Sequence, residues 1–182
     1  MVLLSSDLCN FNENFKEFKL INVDGNFLSG SDIKGEKGTL VMFICNHCPY
    51  VKAIIHKLVY TTNQLQKIGV NSVAIMPNDT EKYPEDNFEN MKKFSKENKF
   101  NFPYLIDEDQ KVSKMFGAVC TPDFFGYNSD NKLQYRGRLA EMRNLEFVNE
   151  KNELLDAMLE ISTNKIGPVN QFPSAGCSIK WK

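Results

Sequence analysis

Phe43-Ile44-Cys45-Asn46-His47-Cys48-Pro49-Tyr50-Val51-Lys52 joins an apolar, strand-like run, Leu40 to Cys45, to a segment of helical periodicity, Val51 to Ile68. Two cysteines three apart where a strand hands over to a helix form an arrangement suited to thiol–disulfide chemistry. A helix N-terminus presents unpaired backbone N–H groups and a partial positive charge, and both favour a thiolate over a thiol. A cysteine placed there can fall well below its free pKa of about 8.5 and become a nucleophile near neutral pH. His47, when protonated, pushes the same way.

The elements around this stretch follow from pattern. Leu40-Val-Met-Phe-Ile-Cys45 is a continuous apolar run, as a strand covered on both faces requires. Apolar residues at 51, 54, 55, 58, 59, 65 and 68 give one helical face, closed by Gly69. Upstream, Phe15 to Phe27 alternates and turns at Asp24-Gly25, which predicts a hairpin. Downstream, strands are expected at 71–76 and 104–106, with helices at 85–98 and 110–116. Strands at 124–127 and 132–136 flank Asn128-Ser-Asp-Asn131, which is strong turn chemistry, so they form an antiparallel pair. A last helix is expected over 146–161. The tail from Ser162 to Lys182 holds Cys177, Ile179 and Trp181, so it docks. A parallel βαβ unit followed by an antiparallel pair predicts a mixed central sheet with helices on both faces. The chain reads as one domain over 1–182, with a core of about 15–162 and a docked tail of about 163–182.

Composition excludes several classes. A net charge of −1 gives nucleic acid or an anionic membrane nothing to grip. No segment approaches the roughly 18 uninterrupted apolar residues of a membrane span. The five cysteines are an odd count, and the start lacks a basic, apolar leader pattern. Together these lead to the expectation of a cytoplasmic protein, in which a C-x-x-C is more often catalytic or metal-binding than a static staple.

The order of elements, the C-x-x-C at the first strand-to-helix turn and Thr121-Pro122 before the hairpin resemble the thioredoxin superfamily. More narrowly they resemble its redoxin branch, which includes thiol-specific antioxidants and alkyl hydroperoxide reductases. The matching stretches are Phe18 to Gly25, Leu40 to Lys52, Val73 to Asp79, Phe102 to Asp107 and Gly117 to Phe125. The resemblance implies a cis peptide at Thr121-Pro122, with its loop against the active cysteine. It also sets the register: a Phe five residues before the nucleophile and a Lys four after it point from Phe43 and Lys52 to Cys48. Val51 then stands where thioredoxins carry their second cysteine, and Met42 where they carry a buried acid. Cys45 takes a position that peroxiredoxins give to Thr or Ser, and Val41 that of their signature Pro.

The resulting expectation is a thiol–disulfide oxidoreductase. Cys48 is the nucleophile, its sulfur exposed at the helix N-cap, and Cys45 or Cys120 is the resolving thiol. His47 supports the thiolate. Thr121, Pro122, Pro49 and Tyr50 line the substrate groove. No organic cofactor and no metal are called for, because the sulfurs carry the electrons. The partners are a protein or small-molecule disulfide, or a peroxide, and a thioredoxin or glutathione reducing system; oligomeric state is left open. The alternative within the same chemistry is a thiol peroxidase with Cys48 peroxidatic. A different class is a non-catalytic or metal-holding module, with Cys45, His47, Cys48 and Cys120 as soft ligands. Cys9 and Cys177 are read as outside the chemistry, with Cys177 only a minor candidate for a late resolving thiol. Arg136 and Arg138 are read as surface charge, and His56 as a surface histidine.

Overall fold

The computed structural model describes residues 3–182. Its centre is β4 (Gly38–Phe43), flanked by β5 (Val70–Met76) on one side and β8 (Asp123–Asn128) on the other. Side chains alternate across β4, as the pleat of a strand demands. Leu40 and Met42 enter one apolar cluster, and Val41 and Phe43 enter the other. All four are fully buried, so the continuous apolar run is explained by burial on both faces.

The outer members of the sheet are β2 (Lys19–Asn22), β3 (Phe27–Ser29), β6 (Tyr104–Ile106) and β9 (Leu133–Gly137). The seven strands lie in the order β3-β2-β6-β5-β4-β8-β9. β4, β5 and β6 run parallel, and the remaining neighbours are antiparallel. This is the expected mixed sheet. The N-terminal hairpin sits at its edge, turning through Gly25 at φ +91°.

Helix α1 (Pro49–Lys67) buries Val51, Ile54, Ile55, Leu58 and Leu65 along one stripe. Each such side chain contributes about 1.5–3 kcal/mol on burial. Proline at the first helical position supplies a preset φ and has no N–H to leave unpaired. Helices α2 (Phe88–Glu97) and α4 (Glu153–Asn164) pack on the same face through Met91, Leu154 and Met158. Helix α3 (Lys111–Phe116) covers the opposite face with Val112 and Phe116, and ends at Gly117 with φ +69°.

Two boundaries differ from expectation. The segment read as one helix from 85 begins as a 3-10 turn, Pro84–Asp86, and α2 starts only after Asn87, whose side chain accepts from Asn90 N. The last helix starts at Glu153, not 146. Asn144 and Leu145 both adopt positive φ, turning β10 (Met142–Arg143) back on β11 (Glu146–Phe147). Asn152 then caps α4 by accepting from Leu155 N at 3.1 Å.

The tail docks as a strand. β12 (Ala175–Ser178) lies between β1 (Leu3–Ser5) and β7 (Cys120–Thr121) in a small antiparallel sheet. Cys177 stands opposite Thr121, and Ser178 opposite Cys120. Beyond it, Lys180 N donates to Asn78 Oδ1 at 2.9 Å, and Lys180 O accepts from Asp79 N and Gln110 Nε2 at 2.8 Å each. No helix among the described residues is long and apolar enough to cross a membrane.

Candidate active site

β4 ends and α1 begins within six residues, and that turn places the chemistry. Cys48 is the N-cap residue of α1, with extended backbone at φ −64° and ψ 123°, and Pro49 follows as the first helical residue. The Thr121–Pro122 peptide is cis, as the resemblance implies. It brings Thr121 against the cysteines. Cys45 Sγ lies 3.3 Å from Thr121 Oγ1, and Cys48 Sγ lies 3.3 Å from Thr121 O.

Cys48 is not exposed. Its accessibility is 0%, because β12 crosses directly over it. The sulfur of Cys177 comes within 2.7 Å of the sulfur of Cys48. That is within about an ångström of the ~2.05 Å of a disulfide bond. None of the five cysteines is in a disulfide. The thiol that the sequence set outside the chemistry is therefore the one in sulfur contact with Cys48, the expected nucleophile. Cys120 faces elsewhere. Its sulfur contacts Pro122 O at 3.6 Å, and no hydrogen bond among the described residues joins it to Cys48. Burial pushes the Cys120 thiol well above its usual range.

The electrostatics separate three thiols. A hydrogen bond from Cys45 is the largest influence on Cys48 and lowers its pKa. Burial opposes it, and a hydrogen bond from Cys177 and the Val51 N–H at the start of α1 add to it. The net result pulls Cys48 down to about 5. Cys45 moves the other way, raised first by holding its proton for Cys48 and then by burial. Cys177 is pushed up to about 12 by burial and by donating to Cys48. A thiol of lowered pKa between two of raised pKa is an arrangement that can support disulfide exchange.

His47 has a partner that the sequence did not reveal. Asp86, fully buried in the 3-10 turn before α2, contacts His47 Nδ1 through Oδ2 at 2.6 Å. The same oxygen accepts from Asn78 Nδ2 at 2.7 Å. Oδ1 accepts the backbone N–H of Asn46 at 2.8 Å and of His47 at 3.2 Å. Burial alone would raise the Asp86 carboxyl, but the His47 and Asn78 hydrogen bonds outweigh it and the net shift is downward. His47 is raised, chiefly by its hydrogen bond to Asp86. Its ring stacks on Tyr83 at 5.7 Å and 11°. A lone Asp in Tyr83-Pro-Glu-Asp-Asn87 looks like loop polarity. Only its four hydrogen bonds mark it out.

Cys45, His47 and Asp86 also bring potential ligand atoms within 4.8 Å of one another. Both Asp86 oxygens already carry two hydrogen bonds each, so this carboxylate is engaged in holding the turn rather than open toward a metal. Tyr50 and Pro122, expected in the groove, line a cavity of about 110 Å³ together with Ile54, Phe124, Leu139 and Ala175. Arg136 is not surface charge. It is buried, bonds Gly117 O at 2.7 Å and pairs with the buried Asp123 at 3.3 Å. Arg138 is half-buried and holds Glu153 through two nitrogens at 2.8 and 2.9 Å. His56 is exposed on α1, as expected.

A model of the AhpC/TSA family matches residues 11–137. Among solved structures, an uncharacterized conserved protein from Geobacillus kaustophilus is 42% identical, covers 100% of this chain and 97% of its own, and superposes with a TM-score of 0.93. A hypothetical protein from Sinorhizobium meliloti 1021 is 33% identical, covers 98% of both chains and gives 0.90. A secreted disulfide oxidoreductase from Mycobacterium tuberculosis shares the fold at 20% identity, covering 69% of this chain and 87% of its own, with a TM-score of 0.57. No curated protein matches.

Proposed function

Since this chain belongs to the AhpC/TSA family and carries the thioredoxin-like fold of the redoxin group, we propose that it is a thiol–disulfide oxidoreductase whose working couple is Cys48 and Cys177. The observation that carries this reading is the 2.7 Å approach of the two sulfurs. Cys48 thiolate attacks one sulfur of a substrate disulfide, and the other sulfur leaves as a thiolate that takes up a proton. Cys177 gives up its proton and attacks the Cys48 sulfur of the mixed disulfide. The substrate's second thiolate leaves, and the Cys48–Cys177 disulfide remains. Two electrons pass from the protein's thiols to the substrate. A thioredoxin or glutathione system in the cytoplasm returns the couple to thiols.

His47 and Asp86 support the first step. A protonated His47 beside Cys48 stabilises the attacking thiolate, and Asp86 keeps the imidazole charged and oriented. Cys45 is a donor to the thiolate rather than the resolving thiol. Thr121, whose hydroxyl contacts Cys45 and whose carbonyl contacts Cys48, fixes the spacing of both.

The test is a thiol count in a series of redox buffers, with peptide mapping of the oxidised form. One reversible disulfide between Cys48 and Cys177 is expected, absent from Cys48→Ser and Cys177→Ser. Five thiols persisting across the series would overturn the reading. The family match favours peroxide as a second oxidant for the same couple. Cys48 thiolate would take one peroxide oxygen and release an alcohol or water, and Cys177 would then displace hydroxide from the sulfenate to leave the same disulfide. Sulfenate formation on Cys177→Ser at low peroxide, much faster than on a simple thiol, would establish it.

A further inference from the structure

Cys48, Cys45 and Cys120 all have accessibility of 0%, so no external oxidant touches a sulfur at the α1 N-terminus while the fold is closed. Something must move, and the elements around the sulfur differ in how they are fixed. β4 is packed into both apolar clusters at the middle of the sheet, and α1 buries a long apolar stripe in one of them. β12 is a tail strand that pairs with β7 over two residue pairs, Cys177 with Thr121 and Ser178 with Cys120, and on its other edge with the short, exposed β1 over three. The chain leading into it is hydrogen-bonded to β9 and the loop after it at Gln171, Phe172 and Ser174 but leaves apolar side chains in solvent. Ile166, Val169 and Phe172 are among the most exposed apolar side chains of the protein.

The seating of β12 is specific. Gly176 rests on the peptide before the cis proline, where a Cβ would stand 2.1 Å from Thr121 O, 2.6 Å from Thr121 C and 3.1 Å from Pro122 Cδ. Only a residue without a side chain lets the tail lie this close. That closeness puts the neighbouring Cys177 sulfur on Cys48. The tail thus presents an extended segment, antiparallel to residues 120–121, with a cysteine aimed at the nucleophile. A disulfide-bearing chain would have to offer the same features there.

We propose that β12 is a built-in stand-in for the substrate chain: it leaves residues 120–121 for an extended, disulfide-bearing polypeptide to pair there, and its return expels that partner. This rests on the Cys48–Cys177 reading above. With β12 displaced, Cys48 thiolate attacks the partner's disulfide, and the partner's other sulfur departs as a thiolate that takes up a proton. The partner's cysteine is then held on Cys48 as a mixed disulfide, with the partner strand on residues 120–121. When β12 reseats, Cys177 loses its proton, attacks Cys48 sulfur and releases the partner's remaining thiolate. Strand exchange and sulfur exchange become one event. The partner loses its backbone pairing and its covalent bond together, so a reduced product does not linger in the groove.

Two variants and one probe test this. The probe is a synthetic peptide disulfide with several residues on each side of its cysteine, compared with the compact hydroxyethyl disulfide. Cys177→Ser is expected to trap the peptide on Cys48. Hydrogen exchange should then show residues 175–179 losing protection and residues 120–121 keeping theirs. Gly176→Val unseats the tail without altering a sulfur, and is expected to speed mixed-disulfide formation with the peptide by about tenfold or more, since access follows local opening. Trapping of the peptide with 175–179 as protected as in the untreated protein would overturn the proposal. So would Gly176→Val exchanging fast over 175–179 with an unchanged peptide rate. Oxidation by hydroxyethyl disulfide but never by the peptide would also overturn it, while leaving the Cys48–Cys177 couple intact. Failure of both disulfides to oxidise Cys48 would instead strike the enzyme reading itself.

Discussion

Asp86 holds Nδ1 of His47 at 2.6 Å while its other oxygen takes the backbone N–H groups of Asn46 and His47. One buried carboxylate thereby raises the pKa of the imidazole that precedes Cys48 and holds the loop that delivers Cys48 to α1. An asparagine in its place keeps the shape and removes the charge. Asp86→Asn is expected to lower the His47 pKa and to raise the pH at which Cys48 forms its thiolate, seen by ultraviolet thiolate absorbance and by alkylation rate against pH. A profile superimposable on the wild type would show that Asp86 only holds the loop.

The same pair makes a stability prediction with a defined sign. His47 is raised, so its contribution is complete below its unfolded pKa of about 6.5 and is lost as pH rises through the folded value. Asp86 is lowered, so its contribution is complete above its unfolded pKa of about 3.9 and is lost as pH falls through the folded value. Urea denaturation of wild type against Asp86→Asn is expected to show its largest difference between those two limits, about pH 4 to 6.5, shrinking on either side. A difference that is flat across the whole range would show that the ion pair is not what Asp86 contributes.

Much of this site is legible in the chain itself. Phe43 and Lys52 set the register on Cys48, and Cys48 is the N-cap of α1. Thr121-Pro122 is expected to be cis, with its loop against Cys48, and the structure has the cis peptide and the contact. These features are local: a few residues at a strand end or before a proline determine them. The approach of Cys177 to Cys48 is not legible, because it depends on the path of a tail with no helical or strand period. One clue exists: Gly176 beside a cysteine, where a close backbone approach needs a residue without a side chain. Asp86 is hidden for a related reason. Its burial is made by Asn46, His47 and Asn78, which lie eight to forty residues away in sequence. Arg136 is misread because charge suggests surface, whereas its guanidinium lies over the Phe125 ring at 4.7 Å and faces the buried Asp123.

Cys45 is assigned here to supporting the thiolate, and that has its own consequence. A hydrogen bond to a charged group is worth about 1.5–3 kcal/mol, or roughly one to two pKa units. Cys45→Ala is expected to raise the Cys48 midpoint from about 5 by roughly that amount, while the Cys48–Cys177 disulfide still forms. If Cys45→Ala instead abolishes the disulfide, Cys45 is a redox partner and not a donor.

Cys120 gives the complementary case. Its thiol is buried, raised well above its usual range and turned toward Pro122 O. Cys120→Ala is expected to leave the redox-buffer midpoint and the thiolate titration of Cys48 unchanged, at a modest loss of packing. A shifted midpoint, or a different disulfide in the peptide map, would return Cys120 to the resolving role expected of it from sequence.

Arg136 is the only cation paired with Asp123 among the described residues, and Asp123 follows the cis proline directly. Burial raises the Asp123 carboxyl, Arg136 lowers it, and the balance leaves it at about 6. Removing one partner of a buried ion pair strands the other, at a cost of about 3–5 kcal/mol. Arg136→Met keeps the apolar contact with Phe125 and removes the charge. The stranded carboxyl can escape the penalty only by keeping its proton, so its folded pKa rises further. A raised carboxyl contributes stability that is present at low pH and lost as pH rises through the folded value. Arg136→Met is therefore expected to be destabilised more at pH 8 than at pH 5, read from urea midpoints at the two values. Because β7 and the cis proline lie next to Asp123, the variant should also loosen the strip on which β12 rests, and the protection of the Thr121 amide, taken relative to its intrinsic exchange rate at each pH, should be lower at pH 8 than at pH 5. Equal destabilisation at both pH values would mean that Arg136 acts through its stacking on Phe125 and its bond to Gly117 O, not through its charge.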